Sequence, residues 1–170
     1  QDDATSAIGS AEDGKFLAGG MTLIPTLKQR LAQPSDLVDL SGIDGLAGIE
    51  DGGDSITIGA MTRHVEVANS DAVANKIPAL SALASNIGDP QVRNRGTIGG
   101  SVANNDPAAD YPAAVLALKA TVITNKREIA ADDFFDGMFA THLEEDELIT
   151  AIRFPVPEKA AYAKFPNPAS

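Results

Sequence analysis

Cysteine is absent from all 170 residues, and histidine occurs only twice, at His64 and His142. Without a thiol the chain cannot build a disulfide framework, a thiolate zinc site, a cysteine-ligated iron–sulfur cluster or a cysteine nucleophile. Redox chemistry would therefore need a bound organic cofactor. Two histidines so far apart in sequence form neither an HExxH pair nor a three-histidine site, and no metal is expected. Basic residues are scarce, 13 against 24 acidic ones, and the resulting charge of −11 repels nucleic-acid backbone and anionic lipid. Nucleic acid is not an expected partner. No stretch approaches the eighteen or so consecutive apolar residues of a membrane span, and the acidic opening Gln1-Asp2-Asp3 is unlike a signal peptide. The expectation is a soluble, cytoplasmic chain.

What is present is a core-forming composition, 44% hydrophobic, enough for one ordinary domain or two small ones. Residues 5–11 suit a short helix. Lys15-Phe16-Leu17-Ala18 is a brief apolar run stopped by Gly19-Gly20, and Leu23, Ile24, Leu27 and Leu31 then recur at helical spacing, with Pro25 tolerated in the first turn. Leu37-Val38-Asp39-Leu40 reads as a second strand, giving a βαβ unit with parallel strands. The glycines between 42 and 53 mark turns, and a boundary is placed near residue 53. Beyond it, residues 55–60 alternate as a strand, and Thr62 is expected to cap a helix over 63–68. Positions 80, 83, 84 and 87 form a helical face, residues 120–124 suit a strand, and residues 149–154 suit a late one. The expected fold class is α+β, with domains at 1–53 and 54–158 and a segment 159–170 that begins a further domain, as in a fragment of a longer polypeptide.

Two glycine-rich segments carry the functional reading. They are Ala18-Gly19-Gly20-Met21-Thr22-Leu23-Ile24-Pro25 and Gly96-Thr97-Ile98-Gly99-Gly100-Ser101. Glycine admits close backbone approach, so successive amides can converge on one anionic oxygen, and Thr22, Thr97 and Ser101 add hydroxyls. Neither segment is a GxxxxGK[ST] or GxGxxG motif. Taken together they point to a pyrophosphate site. Residues 87–112, rich in Gly, Asn, Asp and Pro, read as a long shaped loop of the kind that binds ligands. A turn role is expected for Asp106, a solvated turn for the acidic run Glu144-Glu145-Asp146-Glu147, and packing or surface roles for both histidines. Arg93 and Arg95 stand between neutralising phosphate and meeting a partner chain.

Residues 89–112, with residues 18–25, Thr141-His142-Leu143, Asp146-Glu147-Leu148-Ile149 and Phe154-Pro155, resemble the FAD-binding medium subunits of molybdenum hydroxylases, as in aerobic carbon monoxide dehydrogenase and xanthine dehydrogenase. The resemblance implies a two-subdomain PCMH-type FAD-binding fold, a small βαβ subdomain plus a larger mixed-sheet subdomain with helices. It implies FAD as cofactor and an oxidoreductase role without catalytic side chains of its own. The implied FAD contacts are Leu17, Ala18, Gly19, Gly20, Met21, Thr22, Leu23 and Ile24, then Thr97, Ile98, Gly99, Gly100 and Ser101 at the diphosphate. Asp110 is implied at the flavin, with Ile87, Gly88, Ile149 and Lys164 near the ring and adenine. The implied partners are a large molybdenum-cofactor subunit and a small [2Fe-2S] subunit, with quinone or NAD as electron acceptor. The chain departs from the family at its start, where a further strand is usual, and at its end, where another small domain follows. A self-contained flavin oxidase would need side chains over the ring, and no such set is visible; a non-redox phosphate-binding module would keep the glycine cradle alone. A β-branched residue at Gly99 or Gly100 is expected to empty the FAD site while the fold survives.

Overall fold

The computed structural model describes residues 1–166. Helix α1 (Asp2–Ser10) places Asp2 and Asp3 in its first turn, where carboxylates complement the helix dipole, and buries Ala4 and Ile8. Strand β1 (Gly14–Leu17) leads through Gly19-Gly20 into α2 (Leu23–Lys28) and back to β2 (Asp36–Asp39). The two strands pair in parallel, from Gly14 opposite Asp36 to Leu17 opposite Asp39, as the βαβ reading requires. Helix α2 stops short of Leu31 because Arg30 turns left-handed, with φ 56°. This thin layer buries little by itself. Its inner residues Phe16, Ala18 and Val38 pack instead on a small cluster of Ala4, Leu40, Leu46 and Leu148, with Ile43 and Met61 at its edge.

The larger layer is a five-stranded sheet in the order β3-β4-β7-β5-β6. Its members are β3 (Ile49–Asp51), β4 (Ser55–Gly59), β5 (Thr121–Thr124), β6 (Glu128–Ala130) and β7 (Ile149–Pro155). Between β4 and β5 lie six short helices: α3 (His64–Ala68), α4 (Asp71–Lys76), α5 (Pro78–Ser85), α6 (Pro90–Arg95), α7 (Ile98–Asn104) and α8 (Asp110–Ala117). A last turn, α9 (Ala131–Phe134), follows β6. Alternation in β4 sends Ile56 and Ile58 inward, where they join Ile152 and Phe154 of β7, the helical residues Val67, Val73, Leu80, Val102 and Val115, and Ile77 between α4 and α5 in one core. Each such fully buried aliphatic side chain contributes roughly 1.5–3 kcal/mol relative to exposure. The fold is α+β, with helices on one face of the sheet.

Four expectations are corrected. The larger sheet was expected to be mixed, yet every pairing in it is antiparallel, so the two strand directions are separated between the two sheets. The boundary expected at 53/54 falls inside the β3–β4 hairpin; β3 is hydrogen-bonded to β4 and belongs with the larger sheet. Thr62 does not cap α3, because its hydroxyl is already committed to the backbone of Gly48, accepting at 2.9 Å and donating at 3.0 Å. Glu66 reaches back to the Arg63 amide at 2.8 Å instead. Finally, residues 87–112 are no long loop. Asp89 accepts from the Val92 amide at 2.8 Å and Thr97 from the Gly100 amide at 3.2 Å, so both cap helices, and Pro90 starts one at its first position. Of the expected segment 159–170, residues 167–170 lie outside the described residues.

Candidate functional site

The first bend lies at the carboxyl end of β1, between that strand and α2, with Gly20 at φ 74°. Leu17 accepts from the Leu40 amide at 3.0 Å, which ends the ladder, and Ile24 donates back to the Gly20 carbonyl at 3.0 Å. Between these two bonds the amides of Gly19, Gly20, Met21, Thr22 and Leu23 engage no acceptor among the described residues. Met21 and Thr22 are exposed, whereas Leu17, Ala18, Gly19, Leu23 and Ile24 are half-buried. A run of unpaired donors in a turn is the geometry that receives an anionic oxygen.

The second bend differs. Its amides are spent on the protein: Ile98 donates to Thr62 at 3.1 Å, Gly99 to Ala60 at 2.9 Å, Gly100 to the Thr97 hydroxyl, and Ser101 to the Thr97 carbonyl at 3.1 Å. Thr97, Ile98 and Gly99 are buried. Gly100, Ser101 and Asn104 share the more open side of α7, and the side chains of Ser101 and Asn104 make no hydrogen bond among the described residues. Asn104 was missed in the sequence; the helical spacing that aligns it with Ser101 becomes visible only once α7 is known to be a helix.

The two bends meet. A Cβ on Gly19 would lie 2.0 Å from the carbonyl oxygen of Arg95 and 2.9 Å from the Cα of Gly96. A Cβ on Gly100 would lie 3.5 Å from the Cβ of Ala18. Glycine is thus required at position 19 by backbone contact between segments nearly eighty residues apart. Gly99 is required for another reason, since its Cβ would strike Ala60 at 2.5 Å, against the end of β4. The expectation that the fold tolerates a β-branched residue there does not agree with this packing.

The remaining expected residues form a second cluster. Asp110 opens α8 and accepts from the Tyr162 hydroxyl at 2.5 Å and from Lys164 Nζ at 2.9 Å; Lys164 also donates to the Asn86 carbonyl at 3.0 Å. Burial and the Asp110 hydrogen bond both raise the Tyr162 hydroxyl. Next to Asn86, Ile87 packs on the main core and Gly88 turns at φ 50°. Arg93 donates to the carbonyls of both, at 3.0 Å each, so its guanidinium tethers this corner. Arg95 lies near Asp39, whose carboxyl is held low by the Ser41 amide first and by Arg95 to a smaller degree. Ile149 is buried among the main-core residues, leaving only its backbone for a ligand; its neighbour Leu148 packs in the cluster with Ala18.

Between the two clusters lie His64 and Tyr111, 4% and 0% exposed, with ring centroids 5.3 Å apart. Burial lowers His64 to about 4, partly opposed by Asp110, and raises Tyr111. Asp106 has the expected turn role, accepting from the Ala108 amide at 2.8 Å. The acidic run is not uniformly solvated. Glu147 is buried, and Arg127, with added bonds from the Glu144 amide and the Thr124 hydroxyl, holds its carboxyl at about 2. Among the described residues no three His, Asp or Glu side chains converge on a metal position, and no helix is long and apolar enough to cross a membrane.

Comparison with known proteins defines the class. Residues 1–157 match the family described as the FAD binding domain in molybdopterin dehydrogenase. The chain is 41% identical over 169 residues to the nicotine 6-hydroxylase medium subunit of Paenarthrobacter nicotinovorans, covering 96% of this chain and 60% of that one. It is 42% identical over 158 residues to the carbon monoxide dehydrogenase medium chain of Hydrogenophaga pseudoflava, covering 90% and 55%. The solved carbon monoxide dehydrogenase of that organism superimposes with a TM-score of 0.88 over 91% of this chain and 55% of that one, at 42% identity. Quinoline 2-oxidoreductase of Pseudomonas putida 86 gives the same TM-score at 32% identity, covering 92% and 56%. The chain belongs to the family of FAD binding domains in molybdopterin dehydrogenase, whose cofactor is FAD. It spans little more than half the length of these relatives. The residues present fit that cofactor: the unpaired amides of residues 19–23 face a negative diphosphate well, and no carboxylate among the expected contacts lies in either bend.

Proposed function

We propose that this chain carries the FAD of a cytoplasmic molybdenum hydroxylase, taking electrons from the iron–sulfur clusters of a small [2Fe-2S] subunit served by a large molybdenum subunit, and passing them to an external acceptor such as quinone or NAD. The bound flavin supplies the two-electron redox chemistry. The protein's part is positional. Residues 17–24 form the diphosphate bend and bind it through the main-chain amides of residues 19–23. Thr97, Ile98, Gly99, Gly100 and Ser101 close the cradle from the other side, with Ser101 and Thr97 offering oxygen rather than spare amides. Asp110 and Lys164, bracing one another, orient the flavin end together with Ile87 and Gly88, and the backbone at Ile149 lies along the sheet beneath. The functional division is the one between the small parallel layer and the larger sheet with its helices, β3 going with the latter, and the cleft falls between the two.

The observation that carries this reading is the run of five amides at residues 19–23 without acceptors among the described residues, set against the α7 bend. Titrating the full chain with FAD tests it. One FAD per chain, with visible absorbance bands that shift on binding, is expected; no binding at micromolar concentrations overturns it. Capture of a large and a small subunit by the tagged chain in its native host tests the electron-transfer assignment.

A further inference from the structure

His64 and Tyr111 form a buried polar pair set behind the two bends. His64 Nδ1 and the Tyr111 hydroxyl are both buried without a hydrogen-bond partner among the described residues. Leaving such groups unpaired costs roughly 1–3 kcal/mol each, and an apolar pair of the same shape would avoid that cost. Neither ring is therefore held by its polar atoms; packing alone sets where it lies. The packing is directional. The His64 amide donates to the Gly96 carbonyl at 3.0 Å, and His64 Nε2 lies 2.5 Å from where a Cβ on Gly96 would stand. Gly96 in turn lies 2.9 Å from where a Cβ on Gly19 would stand. On its other side the imidazole leans on Tyr111, adjacent in sequence to Asp110.

We infer that His64 is a positioning residue for the FAD site, its ring acting as a spacer that fixes the gap between the Gly96 bend and the Gly19 bend while Tyr111 backs it from α8. The ring is buried. It acts through Gly96, and along the relay His64, Gly96, Gly19 neither glycine leaves room for even one added carbon. This rests on the reading that the two bends hold FAD. Gly96 has φ −63°, so alanine there is conformationally permitted, and its methyl meets the His64 ring first and then, at 3.1 Å, the Val92 carbonyl.

The test is a compensation experiment on the full chain, with FAD affinity read by flavin fluorescence and fold integrity by urea midpoint. Gly96→Ala pushes the bend off the ring, and His64→Ala removes the support; each is expected to weaken FAD binding about tenfold or more. Combined, the new methyl occupies space the ring has left, and the double variant is expected to bind more tightly than either single, which non-additivity between contacting residues allows. A role in stability alone would lower the midpoint further in the double without recovering FAD. Singles that bind like the unaltered chain, or a double whose losses multiply, overturn the inference while leaving the FAD reading intact. An unaltered chain that binds no FAD overturns both. Should His64→Ala fail to fold, His64→Gln, with similar reach and a narrower head, is expected to fall between it and the unaltered chain, and unchanged affinity there counts against the spacer.

Discussion

Residues 19–23 and 96–101 are both glycine-rich, both carry threonine, and both sit at the start of a helix, yet the first leaves five successive amides without acceptors among the described residues and the second commits four of its own to Ala60, Thr62 and Thr97. The difference follows from where each lies. The first joins a half-buried strand to a half-buried helix in the thin parallel layer, with the Gly19 contact pressing on it from the Gly96 side. The second is built into the main core, where an unpaired amide would be costly and the β4 end supplies carbonyls. Similar composition thus yields a donor surface in one place and a structural joint in the other, and the joint holds the donor surface in position.

The sharpest way to break this comparison is at Gly99 and Gly100. Gly99→Val drives a branched side chain into Ala60, where a Cβ alone would be 2.5 Å away, and is expected to cost about 3 kcal/mol of stability. FAD would be lost with the fold. Gly100→Val meets Thr97 Oγ1 at 3.0 Å and Ala18 at 3.5 Å on the open side, so it is expected to cost under about 1 kcal/mol while weakening FAD severalfold. Urea midpoints and flavin titrations on the pair separate the two roles. Equal midpoints would mean that Gly99 is not a joint.

Acid should reach the joint before the donor surface. His64 is buried neutral, with its folded value lowered to about 4 from 6.5. The unfolded chain therefore takes up this proton first, and the contribution is present above pH 6.5 and lost as pH falls toward 4, at about 1.4 kcal/mol per pH unit. Glu147, lowered to about 2 from 4.5, has the same sign but acts below pH 4.5. Urea midpoints at pH 7, 5.5 and 4.5 are expected to fall in the unaltered chain and to fall less in His64→Gln. A parallel fall in both would assign the loss elsewhere.

How much of this was legible in the sequence varies with the physics of each element. The βαβ unit was readable because Gly19-Gly20 separates a four-residue apolar run from a helical period, a local signal. The α5 face was readable for the same reason, with Leu80, Leu83 and Ala84 buried as spaced. Residues 87–112 were misread because Asp89, Pro90 and Thr97 break structure when counted by composition and start helices when placed at caps. Thr62 was misassigned because its competitor for the hydroxyl, Gly48, is fourteen residues away. The spent amides of residues 98–101 were invisible for a like reason, since Ala60 and Thr62 are long-range acceptors. Only the structure brings Gly19 onto Gly96.

The smallest effect is expected at Ser101, and it decides what the second bend contributes. With its amides committed, α7 can address a diphosphate only through side chains on its open side, and Ser101 is the hydroxyl there without a partner among the described residues. Ser101→Ala removes one hydrogen bond to FAD, a net of about 0.5–1.5 kcal/mol, or roughly a two- to tenfold rise in Kd. Stability should be unchanged, because the hydroxyl makes no internal bond. The same substitution at Thr97 would cost stability as well, since its oxygen caps α7. A Ser101→Ala chain that binds FAD as tightly as the unaltered one would leave the first bend to hold the diphosphate alone and reduce α7 to its wall.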